Sequence, residues 1–307
     1  MSLPTAPFLP APVRRVLKRV LLRPATRADI WWSLLRRVQA PSAGVRAKLI
    51  ASAVADFALS TVAPRRAPSP RTLFSGHVLD PSSGAWFHFR AGTDDLYNAM
   101  PGGEMDVHEA ILAPLGPGDV FVDVGANVGY YTVLAAGRVG PAGTVVAFEA
   151  TPGTARQLRT NVEANALANV EVVEAAVHDG SRERLTIGVP AGVYGMASVT
   201  SEGGPGVASW EVAATTLAEK CARFPRIRMV KMDIEGAELA ALRGAEPILG
   251  RVENLVVECN RGSDEIVALL ERHGFEVSAL QFGPYVLARR TAAAAPPAGS
   301  PAARGAA

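Results

Sequence analysis

Cysteine is nearly absent. Cys221 and Cys259 are the only two among 307 residues, far apart and without a Cys-x-x-Cys spacing. That pattern excludes a disulfide framework and a zinc–thiolate site, and it fits a reducing cytoplasm. Long apolar runs are missing as well. The longest, Leu49 to Ala63, is too short for a bilayer and carries Asp56, so it reads as a buried helix. A cleavable signal peptide is not expected, because the first residues are proline-rich and no uninterrupted apolar h-region follows them. The five histidines join no cluster with transition-metal spacing, and no metal site is expected. Charge of one sign is also scarce: the formal net charge of +2 is too small to call for a nucleic-acid partner. What remains is an ordinary globular composition, 49% apolar and 20% charged, with enough chain for a large core.

The composition changes along the chain. Residues 1–71 carry many arginines against only Asp29 and Asp56, and end in the turn-prone run Pro64-Arg65-Arg66-Ala67-Pro68-Ser69-Pro70. They read as a basic helical N-terminal extension. Val16, Leu17, Val20, Leu21, Leu34 and Leu35 recur at helical spacing beside arginines, a pattern that admits peripheral membrane contact or a helix with a solvated basic face. Residues 72–290 form the main domain. Residues 291–307 lack large apolar side chains and are expected to form a disordered tail.

Within 72–290, apolar strands alternate with amphipathic stretches, which predicts an α/β domain with a mainly parallel sheet covered on both sides. Strands are expected at 120–124, 144–148, 170–173, 230–234, 255–259, 276–280 and 285–288, with helices at Tyr130–Arg138 and from Pro152. The last two strands follow one another directly, which predicts an antiparallel edge hairpin. Short β-like pieces at 185–187, 197–199 and 210–212, broken by Gly203-Gly204-Pro205-Gly206, predict a β insertion before the fourth strand.

The chemistry gathers around two acid-tipped strands. In Asp123-Val-Gly125-Ala-Asn127-Val-Gly129-Tyr-Tyr131, Gly125 removes a Cβ where a ligand approaches the strand end, and Gly129 opens the next helix, whose N–H groups favour negative charge. A dinucleotide turn would have Gly-x-Gly-x-x-Gly; here the middle position is Asn127 and the last glycine is missing. The turn suits a ligand without a pyrophosphate, one bearing an amino-acid carboxylate and ammonium. Glu149 ends the second strand 20 residues past Gly129, where an acid accepts hydrogen bonds from ribose hydroxyls. S-Adenosylmethionine has all of these groups. Further along, Lys231-Met-Asp233-Ile-Glu235-Gly-Ala-Glu238 puts Asp233 at another strand end over the same sheet edge. Its carboxylates offer a general base or a cation holder, with Glu238 a structural residue that pairs with an arginine. His178 lies in the loop after the third strand, and His108 precedes the first; each offers a contact to substrate or a structural role.

These motifs, with Phe148-Glu149, Pro152, Asn161, Asn165 and Leu242-Arg243-Gly244-Ala245, resemble the FkbM family of methyltransferases over residues 100–275. The resemblance implies a class I methyltransferase (Rossmann-like) seven-stranded sheet and S-adenosylmethionine as methyl donor. It also implies an oxygen acceptor on a sugar, glycan or natural product. By motif, Asp123, Gly125, Asn127, Gly129 and Tyr131 would line the methionine end and Glu149 the ribose. Ala176, Val177, His178 and Asp179 would flank the adenine, and Asp233 and Glu235 would face the transferred methyl. The chain departs from the family at Ala150, where a proline is common, and at Ala218, where an aspartate is common.

The expected activity is therefore O-methylation, with Asp233, Glu235 and His178 as catalytic candidates that accept the hydroxyl proton or orient the hydroxyl. The partner is a small-molecule or glycan acceptor. Two rivals share part of the pattern: a nicotinamide-dependent oxidoreductase, through Glu149, and a non-catalytic membrane-associated binding protein, through the basic N-terminal segment.

Overall fold

A computed structural model describes residues 23–63, 67–100, 105–190, 198–199, 207–260, 262–281 and 283–291. The basic stretch before Arg23, the Gly203–Gly206 break and the C-terminal tail expected to be disordered lie outside the described residues from 292 onward and in these gaps. The chain divides into two compact units, with a break after Gly102.

The first unit begins with helices α1 (Arg23–Arg37) and α2 (Ala43–Val62), followed by an antiparallel hairpin of β1 (Gly76–Asp80) and β2 (Ala85–Phe89) and a single turn α3 (Asp95–Asn98). Ser42 caps α2 by accepting from the Val45 N–H at 3.3 Å. The stretch expected to be a buried helix is instead exposed on its apolar side. Ile50, Val54, Phe57, Leu59 and Val62 face solvent, whereas Ser52, Asp56 and Ser60 are buried with Leu49. The cause is polar: Asp56 turns inward to accept from Trp31 Nε1 at 2.8 Å and lies 3.5 Å from the buried Arg27 guanidinium. Burial pulls the Arg27 pKa down, Asp56 opposes that, and Arg27 also donates to the Ala67 carbonyl at 2.7 Å. Asp56→Asn keeps an acceptor for Trp31 but removes the counter-charge. It is expected to cost about 2 kcal/mol, the range for hydrogen bonds to charged groups, read as a shift in the urea midpoint.

The second unit holds α4 (Met105–Leu112), β3 (Val120–Val124), α5 (Tyr130–Val139), β4 (Thr144–Phe148), α6 (Pro152–Ala164) and β5 (Val170–Val173). Next come four strands, β6 (Ala176–Val177), β7 (Arg184–Pro190), β8 (Ser198–Val199) and β9 (Val207–Thr215). The chain then runs through α7 (Leu217–Cys221), β10 (Ile227–Met232), α8 (Glu238–Arg243), α9 (Glu246–Leu249), β11 (Val252–Glu258), α10 (Ser263–Arg272), β12 (Phe275–Ala279) and β13 (Tyr285–Arg290). Seven strands form one sheet in the order β12-β13-β11-β10-β3-β4-β5. It is parallel from β11 to β5, and β13 runs antiparallel to both β11 and β12. The expected edge hairpin is present. The β insertion is a separate four-stranded sheet, β6-β9-β7-β8, ahead of β10. The strand expected at 230–234 ends at Met232, which leaves Asp233 and Ile234 in the following loop.

Alternation along the strands explains the two-sided covering. Val122, Val146, Val230 and Val257 join one core with Leu242, Ile248, Ile266 and Leu269 from α8, α9 and α10. Phe121, Val145, Met229 and Val256 join another with Ile111 from α4 and Val139 from α5. Each large side chain so buried contributes roughly 1.5–3 kcal/mol, and strands apolar on both faces are stable only under two helical layers. Both cysteines are free thiols, and burial raises their pKa values, Cys221 to about 12 and Cys259 to about 11. No helix among the described residues is long and apolar enough to cross a membrane.

Candidate active site

The chain leaves β3 outward through β4 and β5 and returns on the other side of β3 as β10. The carboxyl ends of β3 and β10 therefore flank the point where strand order reverses, the usual ligand crevice of an open α/β sheet. The turn after β3 is held from both neighbours. Gly125 and Ala126 N–H donate to the Phe148 carbonyl at 3.0 and 2.9 Å, and the Asp233 N–H donates to the Val124 carbonyl at 3.0 Å.

The two glycines answer to the protein's own packing. Gly125 has φ +79°, and a Cβ there would overlap the carbonyl oxygen of Asp233. The bare Cα thus admits the backbone of the β10 loop, where the sequence suggested a ligand. Gly129, at φ +94°, would drive a Cβ into Leu158 of α6. Gly244 follows the same rule: its Cβ would strike the His178 carbonyl, which accounts for the glycine in Leu242-Arg243-Gly244.

Asp123 is buried at the end of β3, accepts from Thr132 Oγ1 at 2.7 Å and lies 3.5 Å from Lys231 Nζ. Asp123 and Lys231 are register partners on adjacent parallel strands, so their side chains share a face. The Lys231 ammonium also donates to the Gly125 carbonyl at 2.8 Å, and sits 3.9 Å from Asp233 and 6.0 Å from the centre of the Tyr131 ring. Burial pulls its pKa down, but Asp123, Asp233 and Glu149 outweigh burial and hold it above the ordinary lysine value. Asn127, at φ 52°, donates its N–H to Glu149 at 3.0 Å, and the other Glu149 oxygen accepts from the Thr151 N–H at 2.8 Å. Burial raises the Glu149 pKa against those hydrogen bonds and the Lys231 charge. The Asn127 Oδ1 is buried without a hydrogen-bond partner.

Around β10 the acids converge. Asp233, Glu235 and Glu258 place one carboxylate oxygen each within 4.8 Å of one another. Glu258 ends β11 beside the tip of β10, since Met232 and Val257 are register partners. Tyr285, paired with Glu258 across β11 and β13, donates its hydroxyl to Asp233 at 3.0 Å. Glu235 takes a left-handed φ of 54°. Burial, then the charges of Asp233 and Glu238, push its carboxyl above the usual range; burial, Asp233 and Glu235 do the same to Glu258. Glu238 is structural, but its partners are the Ile234 and Gly236 N–H groups at 3.0 and 3.1 Å, where an arginine was expected. It pins the loop that carries Asp233 and Glu235.

The remaining candidates have partners of their own. The His178 ring pairs with Asp179 at 2.7 Å, and the His178 backbone N–H donates to the Thr215 carbonyl. Hydrogen bonds from Ser181 hold the Asp179 carboxyl well below its usual range. Ala176 and Val177 are buried strand residues paired with β9, and Val177 belongs to the core with Phe148 and Leu217. His108, on α4, lies 3.1 Å from the Tyr130 hydroxyl. Sequence reasoning overlooked Glu258 and Tyr285 and gave Lys231 no role. The signal for Glu258 was available: Leu255-Val-Val-Glu258 repeats the acid-tipped strand of Val145-Val-Ala-Phe-Glu149.

The family profile described as the methyltransferase FkbM domain matches residues 123–277. Hexuronic acid methyltransferase AglP of Haloferax volcanii is 28% identical over 162 residues, 53% of this chain and 64% of that protein. The chain thus spans just under two thirds of that relative. The 31-O-demethyl-FK506 methyltransferase FkbM of Streptomyces tacrolimicus is 30% identical over 221 residues, 58% of this chain and 83% of that protein. Among solved structures, precorrin-6y C5,15-methyltransferase of Geobacter metallireducens aligns with a TM-score of 0.38 and 16% identity, over 60% of this chain and 89% of that one.

Proposed function

The chain belongs to the FkbM family of methyltransferases, and from that premise we propose that it methylates a hydroxyl of a sugar, glycan or natural-product acceptor with S-adenosylmethionine as donor. The observation that carries this reading is the placement of Asp233 against the Gly125 turn, at the strand-order reversal, with the Glu235 carboxylate beside it. S-Adenosylmethionine supplies a methyl group activated by a sulfonium. The residues present fit it: the Asn127 Oδ1 is an orphaned acceptor suited to an ammonium, and each Glu149 oxygen keeps a lone pair for a ribose hydroxyl. The Asp233 or Glu235 carboxylate would accept the acceptor's hydroxyl proton or orient that hydroxyl as the oxygen–methyl bond forms and the methyl–sulfur bond breaks, its electron pair leaving on the thioether sulfur. Lys231 holds Asp233 and Asp123 in place, and Glu238 holds the loop. The sugar in one relative's name and the 31-O position in the other's support an oxygen acceptor.

The test has two steps. Calorimetric titration should show saturable binding of S-adenosylmethionine and none of NAD; the opposite result would turn the reading to a dehydrogenase. Methyl-labelled donor, incubated with the protein and an extract of the source organism, should then yield a labelled oxygen-methylated product by mass spectrometry. Label on nitrogen or carbon alone would overturn the acceptor class.

A further inference from the structure

Three carboxylates sit together at the tips of β10 and β11, and one of them is poorly served. Glu258 is 8% exposed, and its Oε2 has no hydrogen-bond partner. The cation beside the group, Lys231, lies 3.9 Å from Asp233 and closer, at 3.5 Å, to Asp123, so its single charge is divided. A buried carboxylate without a donor is costly, and neighbouring negative charges add to that cost. The group is therefore short of positive charge at a defined place.

We propose that Asp233, Glu235 and Glu258 bind one divalent, oxygen-preferring cation, of the class that runs from Mg²⁺ and Mn²⁺ to Ca²⁺. The geometry is suitable. Oxygens stand about 2.0–2.1 Å from Mg²⁺ and about 2.3–2.6 Å from Ca²⁺, so ligands on opposite sides of one ion are about 4 Å apart for the smaller cation and about 5 Å for the larger. One oxygen from each of the three residues lies within 4.8 Å of the others, inside the larger limit. The ligand set is all oxygen, which selects hard cations over zinc or copper. The three residues also differ usefully in exposure. Glu258 is the buried anchor, whereas Asp233 and Glu235 are half-buried, leaving a route for the ion and open coordination positions for water or an acceptor oxygen. Tyr285 and Glu238 hold the arms of the site: the first donates to Asp233, and the second fixes the Asp233–Gly236 loop through two backbone N–H groups. The cation's catalytic use, orienting and acidifying the acceptor hydroxyl, rests on the methyltransferase reading; the binding of the ion does not.

The experiment is a Mn²⁺ titration of the full chain, with free Mn²⁺ read by electron paramagnetic resonance and no donor present. One saturable Mn²⁺ per chain is expected, displaced by Mg²⁺, with affinity reduced at least tenfold in Glu258→Gln and in Asp233→Asn. Absence of saturable Mn²⁺ binding up to millimolar concentration would overturn the proposal, as would equal affinity in the wild type and both variants. Should Glu258→Gln lose its circular dichroism, the more exposed Glu235→Gln replaces it, with the same tenfold criterion. A parallel titration with S-adenosylmethionine separates the two readings. Mn²⁺ bound without donor binding leaves the cation site standing and removes the methyltransferase reading; donor bound without Mn²⁺ does the reverse.

Discussion

Asp233→Asn combined with Glu235→Gln is expected to lower methyl transfer by about 10²–10⁴-fold, the range for loss of a positioned acid–base group. Affinity for S-adenosylmethionine should stay within a few-fold of wild type. The argument rests on where each group points its bonds. Asp233 is already an acceptor for Tyr285, and Asn retains an oxygen for that bond, so the β13 contact survives the change. Glu235 is half-buried on a loop whose shape is set by Glu238, which neither substitution touches. Asn127 and Glu149, the residues offered to the donor, lie on the β3 and β4 side of the crevice and keep their hydrogen bonds. The substitutions thus remove charge and proton-accepting capacity while leaving shape nearly constant. The readout is the rate of labelled product at saturating donor, with donor affinity from calorimetry. Turnover within tenfold of wild type would show that neither carboxylate takes part in the transfer. Joint loss of transfer and donor binding would show that they hold the donor.

How much of this could be read from the chain depends on the range of the interaction that sets each feature. The parallel strands, their helices and the edge hairpin follow from local periodicity, and all seven central strands overlap the runs from which they were expected. The glycine turn was legible as a turn, but the reason for Gly125 was not. A bare Cα says that something approaches; only the fold shows that it is the Asp233 carbonyl, 108 residues away in sequence. Glu258 and Tyr285 escaped for the same reason, since they join Asp233 only through the β10–β11 and β11–β13 pairings. His178 was legible as a loop residue after β5, but its partners were not. The second sheet and the Asp179–Ser181 turn supply them. In the first unit, apolar content alone predicted that the 49–63 helix would be buried. The polar trio of Arg27, Trp31 and Asp56 rotated the helix so that its serines face inward. The β1–β2 hairpin was overlooked although Asp80-Pro-Ser-Ser-Gly84 is turn chemistry. Ser82 and Ser83 both donate to Asp80, and Gly84 supplies the positive φ of 72°.

Lys231→Met should destabilise the second unit by about 3–5 kcal/mol, because it leaves a buried carboxylate without its counter-charge. Asp123 is 1% exposed, so water cannot replace the ammonium, and Thr132 alone remains as a donor to it. Met matches the lysine stem in volume, which keeps the packing against β3 and the Tyr131 ring and confines the change to charge. The Gly125 carbonyl loses its partner at the same stroke, so the glycine turn should loosen as well as the core. Hydrogen exchange of β3 and β10 amides reads this unit separately from the helical first unit, and protection there should fall by about two to four orders of magnitude. The pair can be isolated by a double-mutant cycle. Asp123→Asn in the Lys231→Met background removes the stranded charge and should return part of the lost stability, whereas the same change in the wild type should cost stability. Additive effects would mean that Asp123 and Lys231 do not act as a pair. The pH dependence has a fixed sign. A lysine whose folded pKa lies above its unfolded value contributes fully below the ordinary lysine range and loses that contribution only as pH rises through the elevated value. Between pH 6 and 9, therefore, the contribution of Lys231 itself should stay constant, and wild-type protection should fall through Glu258, whose buried carboxyl is pushed up to about 8 and loses its stabilising proton as pH rises toward that value.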